Sequence, residues 1–332
     1  MAEILLCGDA IEKLKELESE SIYTCVTSPP YFNLRDYDTC GQIGMERSPE
    51  EYIEKLVRVF REVRRVLRPD GTLWINIGDS YATRSGSQPP TNTRNTCGHT
   101  AKEVPDGYKR KDLIGIPWML AFALRADGWY LRQDIIWQKP NCMPESVRDR
   151  CTKSHEYIFL LSKSPQYYFD AEAISEPIAE STAKRCAQNI EAQEGSHRQP
   201  GRNGRAMKAA LPRFGGNKYG DSHAVEARTK SGKEYIPTAR RNKRSVWTVS
   251  TRGFKGAHFA VFPENLVEPC ILAGCLIGGT VVDPFTGSGT TGATAKRVGR
   301  NFIGVEINEK YCAMAADRIA AVRVAENLID GS

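Results

Sequence analysis

Two short stretches of this 332-residue chain combine residue types that could do chemistry together. The first is Thr27-Ser28-Pro29-Pro30-Tyr31. Two prolines forbid a continuing helix or a central strand, so the Pro29 carbonyl is left as a fixed acceptor. The Ser28 hydroxyl is a second acceptor. Tyr31 offers a flat face for stacking an extruded base, worth about 1–3 kcal/mol. Such a set suits an exocyclic amino group, whose lone pair is delocalised into its ring. Acceptors for both N–H bonds hold the nitrogen closer to tetrahedral and aim its lone pair at a methyl donor. Positive charge develops on that nitrogen during transfer, so pre-aimed dipoles stabilise the transition state more than the ground state. A sulfonium donor needs no metal and no activated water, and in-line positioning supplies much of the rate.

The second stretch is Asp283-Pro284-Phe285-Thr286-Gly287-Ser288-Gly289-Thr290. Gly287 and Gly289 let the backbone approach a ligand closely and adopt positive φ. The helix that follows offers free N–H groups and a positive dipole end. The Gly-Lys-Ser/Thr pattern of nucleoside triphosphate loops is missing. Asp283 closes the strand before the turn, and Glu306 closes the next one. An acid at that position can accept hydrogen bonds from both ribose hydroxyls of an adenosine cofactor.

These loops need elements to hold them. Glu3–Leu6, Ile22–Thr27, Thr72–Ile77, Tyr130–Trp137, Tyr157–Leu161, Thr280–Val282 and Phe302–Val305 read as strands. Ala10–Leu17, Pro117–Ala126, Thr290–Val298 and Glu309–Val324 read as helices. The clearest helix starts at Ser48-Pro49-Glu50-Glu51, a capping box with proline at the first helical position. Ile53, Leu56, Val57, Phe60, Val63 and Leu67 follow at helical spacing, and Pro69-Asp70-Gly71 is expected to stop it. The alternation predicts an α/β fold, a doubly wound and mostly parallel sheet. Ligands of such sheets sit beyond the C-terminal strand ends, which points to the loops after Leu6, Thr27 and Val282. Residues 80–111 read as a polar, mobile loop.

The ten cysteines form no Cys-x-x-Cys pair and histidines number five, so no metal site is expected. Reduced thiols in a cytoplasmic protein are the simpler reading. No signal peptide or membrane span is expected. Net charge is +6, but residues 171–256 carry 17 Lys+Arg against 8 Asp+Glu, which leaves the remainder at −3. A basic segment on a near-neutral body suggests a polyanion partner. Arg240, Arg241, Lys243 and Arg244 form its densest cluster, read as phosphate contacts; Trp247 is expected to pack.

The Ser-Pro-Pro-Tyr loop, the Asp-Pro-Phe-x-Gly-x-Gly-Thr turn and their order along the chain resemble the beta group of DNA amino-methyltransferases of restriction-modification systems. The resemblance covers about 1–170 and 250–325. It implies a Rossmann-like methyltransferase fold with circularly permuted motif order: a catalytic half over 1–170, a basic target-recognition insertion over 171–250 and a cofactor half over 251–332. It implies S-adenosylmethionine as cofactor, with Asp9 in a Gly-Asp turn at the adenine, Phe262 and Pro263 in His258–Glu264 near the methionine part, and Glu306 on the ribose. Trp137-Gln138-Lys139-Pro140 and Lys153-Ser154-His155-Glu156-Tyr157 resemble segments around the target-base pocket. Serine at position 28 implies cytosine N4 as the methylated atom. The alternatives are adenine N6 and a DNA-binding protein with a decayed site. Cys25, before the loop, is expected in the core, which leaves no thiolate route to C5. The resemblance also implies double-stranded DNA as substrate, with its target base flipped out. A cognate restriction endonuclease would be a functional partner, and the chain could act as monomer or dimer.

Overall fold

The computed structural model describes residues 2–34, 39, 41–82, 104–181, 240–251 and 262–324. Most of the basic segment, the centre of the 80–111 loop and His258–Val261 lie outside the described residues. The chain divides into two compact units, Met1–Ala173 with Arg244–Ser332, and Ile174–Lys243.

The first unit is built on an eight-stranded sheet of order β1-β10-β9-β2-β3-β5-β4-β8. Its strands are β1 (Glu3–Cys7), β2 (Ile22–Thr27), β3 (Leu67–Ile77), β4 (Tyr130–Gln138), β5 (His155–Ser162), β8 (Val246–Thr248), β9 (Thr280–Asp283) and β10 (Asn301–Glu306). The run from β1 to β3 is parallel. Only β5 is antiparallel to its neighbours, β3 and β4, so the sheet is mostly parallel, as the alternating pattern demands. The second unit holds a two-stranded antiparallel ribbon of β6 (Glu176–Pro177) and β7 (Arg240–Arg241).

The helices are α1 (Ala10–Lys15), α2 (Pro49–Val66), α3 (Ile116–Ala126), α4 (Glu264–Gly274), α5 (Thr290–Arg297) and α6 (Glu309–Ala320). Strand alternation sorts them to two faces. Leu73, Ile75 and Ile77 of β3 join the core made with Leu14, Phe60 and Leu120 of α1–α3. Trp74, between them in sequence, points to the other side. There a β-carbon on Gly274 of α4 would lie 3.0 Å from its indole Nε1. Helices on both faces of a largely parallel sheet make the fold doubly wound.

Two local expectations are corrected. Pro69-Asp70-Gly71 does not separate helix from strand: α2 ends at Val66 and β3 begins at Leu67. The register against β2 jumps from Ile22–Leu67 to Thr24–Thr72, so the Pro-Asp-Gly triplet is accommodated as an irregularity inside the strand, where proline is tolerated. Helix α4, absent from the sequence-based elements, carries Pro269 internally and buries Leu266, Val267, Cys270 and Ile271. An apolar helix buried on most sides lacks the stripe by which a surface helix is recognised.

Glycine decides how tightly the last strand packs. A β-carbon on Gly304 of β10 would lie 2.5 Å from Thr286 Oγ1, 2.7 Å from the Phe302 ring and 2.8 Å from Leu5. Gly304→Ala is therefore expected to cost about 1–3 kcal/mol by overpacking, read as a lowered urea midpoint at unchanged m-value.

Candidate active site

Strand β2 ends at Thr27 and β9 at Asp283, and these are parallel neighbours, with Thr24 opposite Val281 and Cys25 opposite Val282. The Ser-Pro-Pro-Tyr loop and the glycine turn therefore leave the sheet side by side. β1, β3 and β10 run the same way and end at the same edge. Beyond these ends lies one cavity of about 270 Å³, walled by Gly8–Ala10, Ser28–Tyr31, Asn76, Trp137, Lys139, Glu156, Phe262, Pro284–Ser288, Thr290, Glu306, Ile307 and Tyr311. Its position is the one that doubly wound sheets reserve for ligands.

Asp283 lies under the cavity and is fully buried. It joins the two loops. Its Oδ1 accepts from Thr27 Oγ1 (2.6 Å) and from the Phe285 N–H (3.0 Å), and its Oδ2 from Thr291 Oγ1 (2.7 Å). Burial pushes its pKa up to about 6, against the pull of these donors. Glu306 lines the cavity. Its Oε2 accepts from the Gly287 N–H (2.8 Å) and its Oε1 from the Asn308 N–H (2.9 Å). Burial raises this carboxyl too, while the backbone donors lower it. Each oxygen keeps a second lone pair, so a diol could be received without moving the side chain.

The glycine turn has positive φ at Gly287 (52°) and Gly289 (82°). A β-carbon on Gly289 would lie 3.0 Å from Ala315 of α6, so this glycine lets α6 close on the turn. From α6, Arg318 Nη1 donates to Ser288 O (3.3 Å), Ser288 Oγ (3.2 Å) and Thr290 Oγ1 (3.0 Å), while its Nη2 reaches Glu264 Oε1 (3.0 Å). Asp9 is the N-cap of α1: its Oδ1 accepts from the N–H groups of Ile11 (2.9 Å) and Glu12 (3.1 Å). The Gly8 N–H donates to the Glu306 carbonyl (2.8 Å), tying the Gly-Asp turn to the end of β10.

On the other wall the Ser-Pro-Pro-Tyr loop is braced from behind. Tyr52 of α2 donates its hydroxyl to the Pro30 carbonyl (2.7 Å). Among the described residues no donor reaches the Pro29 carbonyl. Tyr31 donates its hydroxyl to Glu156 Oε2 (2.7 Å), with Asn76 Oδ1 as a second acceptor at 3.2 Å. Burial and the nearby carboxylate hold its phenol well above the usual range, so it stays protonated. Asn76 Nδ2 donates to Glu156 Oε2 and to the Tyr157 carbonyl, both at 3.2 Å. Those two acceptors turn Asn76 Oδ1 toward Ser28, whose Oγ donates to it in a long 3.4 Å contact. With its proton on Asn76, the Ser28 hydroxyl keeps its lone pairs as acceptors on the cavity wall. Lys139 pairs with Glu156 and lies 4.3 Å over the Trp137 ring. Cys25 is fully buried and its thiol is pushed up by that burial, as fits a core residue.

The cavity wall therefore gathers Asp9, Ser28, Pro29, Pro30, Tyr31, Phe262, Pro284, Phe285, Gly287, Ser288, Thr290 and Glu306. Pro263 stands outside it, at the start of α4, as do Asp283 below and Gly289 at the N-cap of α5. Arg240, Arg241 and Lys243 lie in the second unit. Arg240 Nε donates to Ser175 Oγ (2.6 Å), and Arg241 and Lys243 lie 3.6 and 3.7 Å from Glu176. Arg244 falls in the first unit, where its carbonyl accepts from the indole of Trp247 (2.7 Å), a buried residue. Residue-level reading missed Asn76 and Tyr52. The one available signal was an amide inside the otherwise apolar strand Thr72–Ile77; an aromatic in an amphipathic helix gives none.

Fold and cavity together define an α/β protein of the Rossmann-like methyltransferase class. Within that class the chain belongs to the N6/N4 DNA methylase family, whose model matches residues 22–317. It is 43% identical over 317 residues to the Type II methyltransferase M.SmaI of Serratia marcescens, covering 95% of this chain and 90% of that one. It is 41% identical over 314 residues to the Type II methyltransferase M.Cfr9I of Citrobacter freundii, covering 94% and 86%. Among solved structures the PvuII DNA methyltransferase (cytosine-N4-specific) shares the fold, with a TM-score of 0.58 at 18% identity over 99% of this chain and 90% of that one. A Thermus thermophilus protein described as a DNA modification methylase, complexed with S-adenosyl-L-methionine, matches with a TM-score of 0.55 at 23% identity, covering 96% and 93%. The chain is thus a DNA amino-methyltransferase of restriction-modification type. Among the described residues no helix is long and apolar enough to cross a membrane.

Proposed function

We propose that this protein methylates the exocyclic N4 of cytosine in double-stranded DNA, with S-adenosylmethionine as donor. The observation that carries the reading is the meeting of two loops on one cavity, with a neutral serine acceptor on one side and a glycine turn with a carboxylate on the other. The cavity fits the donor in kind. Glu306 has lone pairs free for a ribose diol, Gly8–Ala10 and Phe285 offer a close backbone and an aromatic wall for an adenine, and Phe262 lies beside the turn for the methionine part. When bound there, the donor supplies an electrophilic methyl on a sulfonium.

The chain's own residues do the rest. The Pro29 carbonyl and Ser28 Oγ accept the two N–H bonds of the cytosine amino group. Tyr31, fixed through its hydroxyl by Glu156 and Asn76, presents its ring to the base. Because these acceptors are held before the base arrives, no reorganisation is required as charge grows on the nitrogen. Ser28 is uncharged, so the acceptor that draws the amine toward tetrahedral geometry carries no charge of its own. The basic segment between the two halves contacts phosphates and selects the site; binding should weaken log-linearly with salt.

Transfer of tritiated methyl to duplex DNA, followed by digestion to nucleosides, tests this directly. N4-methylcytosine is the expected product. N6-methyladenine in its place would overturn the choice of base while leaving the family untouched.

A further inference from the structure

A base cannot leave a duplex without leaving a gap, and enzymes that bend or open DNA often place an apolar side chain in such a gap. One residue in the loop joining β4 to β5, two strands that reach the cavity through Trp137 and Glu156, has that character. Met143 is 84% exposed, more than any other large hydrophobic side chain among the described residues. Exposing so much apolar surface carries no packing benefit in the free protein. It sits in the loop that follows β4, and the base of this loop is stapled to the cavity wall. Asn141 Nδ2 donates to the Thr251 carbonyl and Asn141 Oδ1 accepts from the Thr251 N–H, each at 2.9 Å; Thr251 itself lines the cavity. The Lys139 N–H donates to the Ser154 carbonyl at 2.8 Å, closing the loop where β4 ends and β5 begins. Met143 lies two positions on from Asn141, so its backbone lies within about 7 Å of that staple.

The loop is net basic, which suits a polyanion: Lys139, Arg148, Arg150 and Lys153 stand against Glu145 and Asp149. Arg148 is exposed on the same loop. Arg150 packs 4.0 Å over the Tyr81 ring while pairing with Glu145 at 2.6 Å, and Lys153 donates to the Asp79 carbonyl at 2.8 Å. These contacts hold the part of the loop from Glu145 to Lys153. An unbranched, polarisable thioether adapts to the space between stacked bases.

We infer that Met143 is a wedge that enters the DNA stack beside the target and fills the space left by the flipped base. The inference rests on the reading above that the substrate base is extruded into the cavity. The loop contributes no atom to methyl transfer; it makes extrusion of a paired base less costly.

The test compares two synthetic duplexes carrying the enzyme's own modification site, mapped from the DNA it methylates. One has the target base normally paired; the other has an abasic site opposite it, so that extrusion breaks no pair. Met143→Ala is expected to lower kcat/KM on the paired duplex about tenfold or more, since unstacking is then uncompensated. On the orphan-base duplex it should stay within about twofold of wild type. Met143→Leu, which keeps an apolar wedge, should restore most of the activity on the paired duplex. An unchanged kcat/KM for Met143→Ala on paired DNA would overturn the inference, as would an equal loss on both duplexes. The side chain's exposure means the variant should fold normally, checked by an unchanged melting temperature. A wild-type protein that transfers methyl to no DNA would instead sink the functional reading itself, and the wedge with it.

Discussion

Replacing Ser28 with alanine is expected to lower kcat by about 10²–10³-fold, the range measured when one pre-aimed dipole is removed from a developing charge. On the proposed function the affinity for the sulfonium donor should be unchanged, because that reading puts Ser28 at the base and assigns the donor's contacts to the glycine turn and Glu306. KM for DNA should change little as well. An interaction made only in the transition state appears in kcat and kcat/KM together. Single-turnover methyl transfer at saturating DNA, with cofactor binding followed by calorimetry, separates these quantities. A drop in cofactor affinity with unaltered kcat would place Ser28 on the wrong side of the cavity. Stability should be nearly the same, since the hydroxyl's bond to Asn76 is a long 3.4 Å contact.

Asp283 is the site where stability and activity should fail together. Its carboxylate takes three hydrogen bonds, from the last residue of β2, from the turn and from α5. Asp283→Ala leaves the Thr27 hydroxyl and the Phe285 N–H without their acceptor, while Thr291 Oγ1 keeps the Val26 carbonyl at 3.3 Å. At about 1–3 kcal/mol for each of these two stranded groups, a loss of roughly 2 kcal/mol or more is expected in urea unfolding, together with most of the methyl transfer. Asp283→Asn isolates the charge. The folded pKa of about 6 lies above the ordinary 3.8, so the folded state binds this proton more tightly than the unfolded state. Ionisation therefore opposes folding. The penalty is absent below about pH 4, grows between pH 4 and 6, and is complete above 6, where it amounts to about 3 kcal/mol. The stability of Asp283→Asn relative to wild type should accordingly improve by about that amount between pH 4 and pH 7.5. A pH-independent difference would mean that the carboxyl is not perturbed by its burial.

Much of the fold was legible because its signals are local. The capping box at Ser48 does place the start of α2: Ser48 Oγ accepts from the Glu51 N–H at 3.2 Å. The apolar strand runs ending in Thr27 and Asp283 became β2 and β9. The short edge strand β8 was not legible, since Val246–Thr248 is three residues long and too brief for a periodicity to develop. Pro69-Asp70-Gly71 misled for a related reason. Its residue types favour a turn, but pairing with β2 on one side of the triplet and beyond it outweighed the local preference.

The candidate site divides in the same way. Ser28, Tyr31, Gly287 and Glu306 stood out because their chemistry is written in adjacent residue types. The brace behind them did not. Tyr31 meets Glu156 across 125 positions and Ser28 meets Asn76 across 48, distances at which no spacing rule operates. Sequence alone determined which groups this protein has for chemistry, and on which elements they ride, because residue type and short-range periodicity are properties of neighbours along the chain. Only the tertiary structure decided that β2 and β9 lie next to each other, that Asp283 is buried where it joins both loops, and that Asn76 stands within reach of the Ser28 hydroxyl. Strand order and burial follow from how apolar faces pack across the whole sheet, which no single segment encodes.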